Sequence, residues 1–185
     1  MGRTIVARWQ DWPGTGLQHV VLREGPGEIS VEAAVIATED ETRFAARFHI
    51  LCDGAWRVSK VAAEVIGGDR RVELESDGAG HWRDGTGASQ PHLDGAIDVD
   101  LPITPFTNTL PIRRLDLRAG ESADIRVVYI VLPDFTITTD PQRYICLEPR
   151  RRYRYESLDS DFVREIDVDK DGLVVTYPGL FKRLL

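Results

Sequence analysis

From residue 28 almost to the end of the chain, apolar residues recur at every second position, the period of a strand with one buried face. Ile29, Val31, Ala33 and Val35 alternate with Glu28, Ser30 and Glu32. Phe44, Ala46, Phe48 and Ile50 share the next face and leave Arg43, Arg47 and His49 on the other. Val72 and Leu74 alternate with Arg71, Glu73 and Glu75, and Leu115 and Leu117 with Arg114, Asp116 and Arg118. Ile97, Val99 and Leu101 set Asp98 and Asp100 together on the opposite face, about 7 Å apart along a strand. Between Ile125 and Leu132 both faces are apolar, at Val127, Val128, Tyr129, Ile130 and Val131, which predicts a strand covered on both sides. Val58, Val61, Ala62 and Val65 fall at helical spacing, but their β-branched content and the neighbouring Trp56 favour a strand.

Turn chemistry separates these runs. Gly25-Pro26-Gly27, Asp53-Gly54, Gly67-Gly68-Asp69, Asp77-Gly78, Asp171-Gly172 and Pro178-Gly179 all favour chain reversal. Short strands joined by such turns predict one antiparallel, mainly β domain over residues 1–185. A faint echo, with Arg71–Gly78 resembling Arg164–Gly172 and Phe48–Leu51 resembling Tyr129–Leu132, raises an internal duplication into two meanders. The stretch from Leu101 to Leu115 carries Pro102, Pro105 and Pro111, which argues against a regular helix and against ladder pairing. Its Ile, Phe and Leu residues make it an apolar corner packed across the sheet, not a linker.

With 185 residues and 42% apolar content, the chain can bury a substantial core without a disulfide staple. Its charged fraction of 29% excludes a membrane-spanning chain, and the apolar fraction excludes a disordered one. A net charge of -7 opposes generic attraction to nucleic acid or anionic membrane. Cys52 and Cys146 are too few for a disulfide scaffold or a four-cysteine zinc site and read as buried small apolar residues. The N-terminal MGRTIVARWQDW lacks the apolar core of a signal peptide, so the expected location is cytoplasmic.

Leu93-Asp94-Gly95-Ala96-Ile97-Asp98-Val99-Asp100-Leu101, followed by Thr104-Pro105-Phe106-Thr107-Asn108-Thr109-Leu110-Pro111-Ile112-Arg113-Arg114-Leu115, resembles the signature block of a bacterial glycolipid-binding family of unknown function. Gln142-Arg143-Tyr144, Tyr153-Arg154-Tyr155 and the stretch from Val174 to Gly179 extend the resemblance over most of the chain. Where relatives often carry Cys this chain has Ala96, so no thiol role attaches there. The resemblance implies a mostly antiparallel sheet curled into a half-barrel or barrel with few short helices, remotely like bacterial lipoprotein carriers. It also implies an amphiphilic ligand; the glycolipid label is itself an inference from that likeness.

Asp98 and Asp100 could accept hydrogen bonds from sugar hydroxyls or act as acid and base; the alternative is a solvated polar face answered by Arg113 or Arg114. Asp167, Asp169, Asp171 and Gly172 open like a calcium loop, but Pro178 stands where the bidentate glutamate is needed, so a charged hairpin is the expectation and no metal is assigned. In the basic run from Arg150 to Arg154, alternation turns Arg152 and Arg154 one way and Tyr153 and Tyr155 the other. The rings would face a concavity, and the cations an acidic neighbour. Trp9, Trp12, Trp56 and Trp82 read mostly as core, with Trp56 and Trp82 able to line a hollow. His19, His49, His81 and His92 are scattered, and no nucleophile elbow, phosphate-binding glycine loop or zinc-protease motif is present. The tail from Tyr177 to Leu185 reads as a docked terminus.

The preferred function is non-enzymatic binding of an amphiphile such as a glycolipid in the hollow of the curved sheet, with no cofactor. Asp98, Asp100, Asn108, Arg113, Arg114, Arg143, Tyr153 and Tyr155 are the expected head-group contacts. The alternatives are a sugar- or lipid-acting enzyme using Asp98 and Asp100, and an interaction protein using the Arg150–Arg154 strand. Nucleic acid is not expected as a partner, and oligomeric state is unassigned.

Overall fold

The computed structural model describes residues 2–39 and 41–184. Strands β1 (Arg3–Asp11), β2 (Leu17–Gly25), β3 (Glu28–Glu39), β4 (Thr42–Asp53), β5 (Val58–Val65), β6 (Arg71–Ser76) and β7 (Trp82–Asp84) form an antiparallel meander. A short strand β8 (Asp98–Asp100) follows. The second meander comprises β9 (Ser122–Val131), β10 (Thr136–Glu148), β11 (Arg152–Ser157), β12 (Val163–Val168), β13 (Val174–Tyr177) and β14 (Phe181–Leu184). The tail docks as expected, and does so as a strand: β14 pairs with β1 and joins the meanders into one 14-stranded sheet among the described residues. Leu185, the last residue of that predicted tail, lies outside the described residues.

Alternation becomes a row across strands. Leu22, Val31, Ile50, Val61 and Leu74 stand opposite one another from β2 to β6 and are at most 2% exposed. Each side chain so buried contributes roughly 1.5–3 kcal/mol through the hydrophobic effect. The offset row, Val21, Glu32, His49, Ala62 and Glu73, faces outward. Val58–Val65 is a strand despite its helical spacing.

The sheet curls, but its edges β7 and β8 are not laddered together, so the half-barrel holds and a closed barrel does not. The chain crosses between these edges through residues 85–97. Trp82 Nε1 donates to the Ala96 carbonyl at 2.8 Å, and the Gly95 N–H donates to the Gly80 carbonyl at 2.9 Å. A Cβ on Gly80 would lie 3.0 Å from the Gly95 Cα, so the seam requires glycine there.

The expectation that prolines keep residues 101–115 from forming a helix is corrected. A 3-10 turn occupies Pro105–Asn108, and helix α1 spans Thr109–Leu115. The cause is topological: β8 and β9 are parallel, and parallel neighbours need a crossover, usually helical. Pro105 and Pro111 sit in first turns, whose N–H groups have no intrahelical partner to lose. The apolar corner is as anticipated. Phe106 and Leu110 pack into a core beneath the first meander, and Ile112 into a smaller core beneath the second. The echoed strands are unequally spaced, with one strand between β4 and β6 and two between β9 and β12.

Trp9, Trp56 and Trp82 lie in the first core, so Trp56 and Trp82 fill space and do not line a hollow; Trp12 is exposed. Cys52 and Cys146 are buried free thiols. Among the described residues, no helix is long and apolar enough to cross a membrane.

Candidate functional site

Asp98 and Asp100 leave β8 on one face, but their surroundings differ. Asp98 is fully buried, and its carboxylate accepts from Arg114 Nε at 3.1 and 3.2 Å and from Nη2 at 2.6 Å. Burial pushes its pKa up, and the Arg114 hydrogen bonds and charge oppose that push. The anticipated arginine partner is therefore present, while the anticipated solvated face is not. The crossover explains this: α1 lies over β8 and shuts Asp98 away from water. Among the described residues, Asp100 is paired with no cation. It accepts from Thr107 Oγ1 at 2.8 Å and from Gln142 Nε2 at 2.8 Å, and burial raises its pKa.

The same Gln142 amide donates to Asp140 at 2.8 Å and so links two carboxylates. Alternation on β10 turns Asp140, Gln142 and Tyr144 toward Asp100. Tyr144 stands opposite Tyr155 on β11, and its hydroxyl donates to Asn108 Oδ1 at 2.9 Å. Tyr155 is the hub of a ring cluster, with centroids 5.5 Å from Tyr144, 5.9 Å from Phe162 and 6.4 Å from Tyr177. Edge-on and tilted rings at these separations hold one another rigidly.

These residues enclose a half-open cleft of about 450 Å³ at the end of the second core. Its walls are Tyr129, Tyr155, Phe162, Tyr177 and Phe181, and its polar groups include Asp100, Asn108, Asp140, Ser157 and Asp159. Burial and the charge of Asp100 push the Tyr129 hydroxyl up to about 12 and raise Tyr155 and Tyr177 as well, so all three are neutral hydrogen-bond donors near pH 7. Tyr155 and Tyr177 are only 6% and 5% exposed, yet neither hydroxyl has a hydrogen-bond partner among the described residues. The rings are enclosed, but neither hydroxyl oxygen is among the fully buried polar atoms, so both reach the water of the cleft and are free to bond a partner that enters it.

The eight expected contacts divide. Asp100, Asn108 and Tyr155 share the cleft. Asp98 and Arg114 lie beside it as a buried ion pair, so Asp98 and Asp100 do not face each other across the cleft as an acid–base pair. Arg113 and Tyr153 line a second hollow of about 250 Å³. There Arg113 is stacked over Trp56 at 4.4 Å and paired with Glu24 at 3.0 Å. Arg143 points outward to Asp124 and Glu156. Sequence reasoning did not assign Asp140, Gln142, Asp159 and Phe162 to a site. The alternation of Asp140, Gln142 and Tyr144 on one strand was the available signal.

Tyr153 and Tyr155 are buried and Arg152 and Arg154 exposed, as alternation requires. Those arginines are answered within the molecule, Arg152 by Asp167 and Arg154 by Glu156, so the basic strand presents little free charge. The Asp167–Gly172 hairpin is likewise closed on arginines, Asp169 by Arg183 and Asp171 by Arg3. A further hollow of about 410 Å³ on the outer face of β2 to β6 exposes His19, Ala34, His49 and Ala62. It is open, and no buried polar atom there lacks a partner among the described residues.

The profile of the family described as Putative glycolipid-binding matches residues 6–183. The crystal structure of a DUF1089 family protein from Pseudomonas aeruginosa is similar at 35% identity, with a TM-score of 0.79 over 90% of this chain and 92% of that one. No curated protein matches.

Proposed function

Because the chain belongs to the Putative glycolipid-binding family, we propose that it binds the head group of a sugar-bearing amphiphile in the cleft between β8 and the second meander, without chemical change to the ligand. The observation that carries this reading is the pair of nearly buried Tyr155 and Tyr177 side chains, whose hydroxyls have no partner among the described residues and open on the same space as Asp100 and Asn108. Flat aromatic walls suit the apolar faces of a pyranose, and carboxylate, amide and hydroxyl groups suit its hydroxyls. The cleft volume falls within the range of small-molecule sites, about 300–1,000 Å³. Its walls are mainly rings and carboxylates, with Pro102 and Leu180 the aliphatic exceptions, so the head group is held and the acyl chain left outside.

Titration with octyl glucoside below its micelle concentration, followed by calorimetry, tests this. Saturable binding is expected, weakened about fivefold by each of Tyr155→Phe and Tyr177→Phe, the equivalent of one hydrogen bond. Among the described residues neither hydroxyl has a protein partner, so both variants are expected to keep the fold. Identical affinity in wild type and the double variant would remove the cleft from the binding reaction.

A further inference from the structure

Asp53, Asp98, Asp124, Asp167, Asp169 and Asp171 each have an arginine within salt-bridge distance. The cleft is different. Asp100, Asp140 and Asp159 line it, and among the described residues no Lys or Arg does. Asp100 and Asp140 are held by the neutral Gln142 amide, with Thr107 also on Asp100, and Asp159 is held by the Ser157 hydroxyl at 2.7 Å. Arg164 is near, but its guanidinium lies over the Phe162 ring at 4.5 Å and is not paired with these acids. Five aromatic rings, Tyr129, Tyr155, Phe162, Tyr177 and Phe181, wall the same space.

Resting on the cleft's role in head-group binding, we infer that the head group it takes carries a positively charged nitrogen, as an amino sugar or a quaternary ammonium does. Two features select this charge, and a third suits the rest of the head group. Ring faces attract a cation through their quadrupoles, most strongly where water is excluded. Carboxylates held only by neutral donors gain a counter-charge from an entering ammonium, and they repel a phosphate or sulfate. The unpartnered Tyr155 and Tyr177 hydroxyls are left over for the neutral hydroxyls of the same head group. Burial holds the Asp100 and Asp140 carboxyls above their usual range. Among the described residues, no group of three His, Cys, Asp or Glu is arranged to hold a metal ion.

The experiment compares glucosamine, choline chloride and glucose by calorimetry, at a pH where the amine is protonated, on the wild-type chain and on Asp159→Asn and Asp140→Asn/Asp159→Asn. Octyl glucoside serves as the uncharged reference. Glucosamine or choline is expected to bind at least about tenfold more tightly than glucose, and which of the two is preferred separates a primary from a quaternary nitrogen. That advantage is expected to fall about threefold in Asp159→Asn, whose side chain is exposed and outside the core, and to vanish in the double variant. Equal affinity for all three probes, with octyl glucoside still bound, would overturn the charged head group and leave the cleft's role standing. No saturable binding of any probe would overturn both.

Discussion

Replacing Arg114 with Met keeps the aliphatic stem that packs beside β8 and deletes the guanidinium. Asp98 then loses three hydrogen bonds and its counter-charge while its side chain stays fully enclosed. Removing one partner of a buried pair costs about 3–5 kcal/mol, because the remaining charge can neither be hydrated nor compensated. At roughly 2–4 °C per kcal/mol for a chain of this size, the melting temperature should fall by about 6–20 °C near neutral pH. The loss must depend on pH in a defined direction. With Arg114 gone, burial alone acts on Asp98 and lifts its folded pKa further above the unfolded value of 3.8. Between those two values the folded chain holds a proton that the unfolded chain has released. Stability of the variant relative to wild type therefore rises as pH falls through the folded pKa and drops as pH rises through it. Urea denaturation, read by the fluorescence of buried Trp9 and Trp82, measures this at several pH values. Asp98→Asn/Arg114→Met should recover most of the loss, since an uncharged amide replaces the stranded carboxylate. A cost below about 1 kcal/mol for Arg114→Met, or a double variant no more stable than the single one, would refute the buried-pair argument.

Two further outcomes follow from the surface and the seam. His81 Nδ1 lies 2.7 Å from Asp77, whose carboxylate also accepts from the Ala79 and His81 backbone N–H groups. The hydrogen bond from His81 holds Asp77 down at about 2, and the same bond lifts His81 above 6.5. An NMR titration should therefore show His81 losing its proton at higher pH than an ordinary histidine. The pair's stabilising contribution is present below 6.5 and lost as pH rises through the raised value; an unchanged His81 midpoint in Asp77→Asn would contradict the assignment. Gly80→Ala would set a Cβ 3.0 Å from the Gly95 Cα at a backbone φ of +95, so a loss above about 1 kcal/mol is expected in thermal melts. A neutral or stabilising result would show that the seam between β7 and β8 is not closely packed.

The strand faces were legible without a fold because side-chain direction along a strand depends only on local geometry. Val31, Ile50, Val61 and Leu74 point inward at period two wherever their strands pair, and Tyr153 and Tyr155 part from Arg152 and Arg154 for the same reason. Helix α1 was illegible because its cause is not local: three prolines oppose it, and the parallel pairing of β8 with β9 requires a crossover that only topology reveals.

The site divides along the same line. The chain by itself determined that Asp98 and Asp100 share a face and that Tyr155 faces inward. Only the tertiary structure decided that Arg114 closes on Asp98, that Gln142 joins Asp100 to Asp140, and that Tyr177, from strand β13, stands 6.4 Å from Tyr155. Alternation specifies a direction for each side chain. Which directions meet, and whether water, a cation or nothing lies between them, depends on how separate strands and the crossover helix are brought together, and a local pattern carries no term for that.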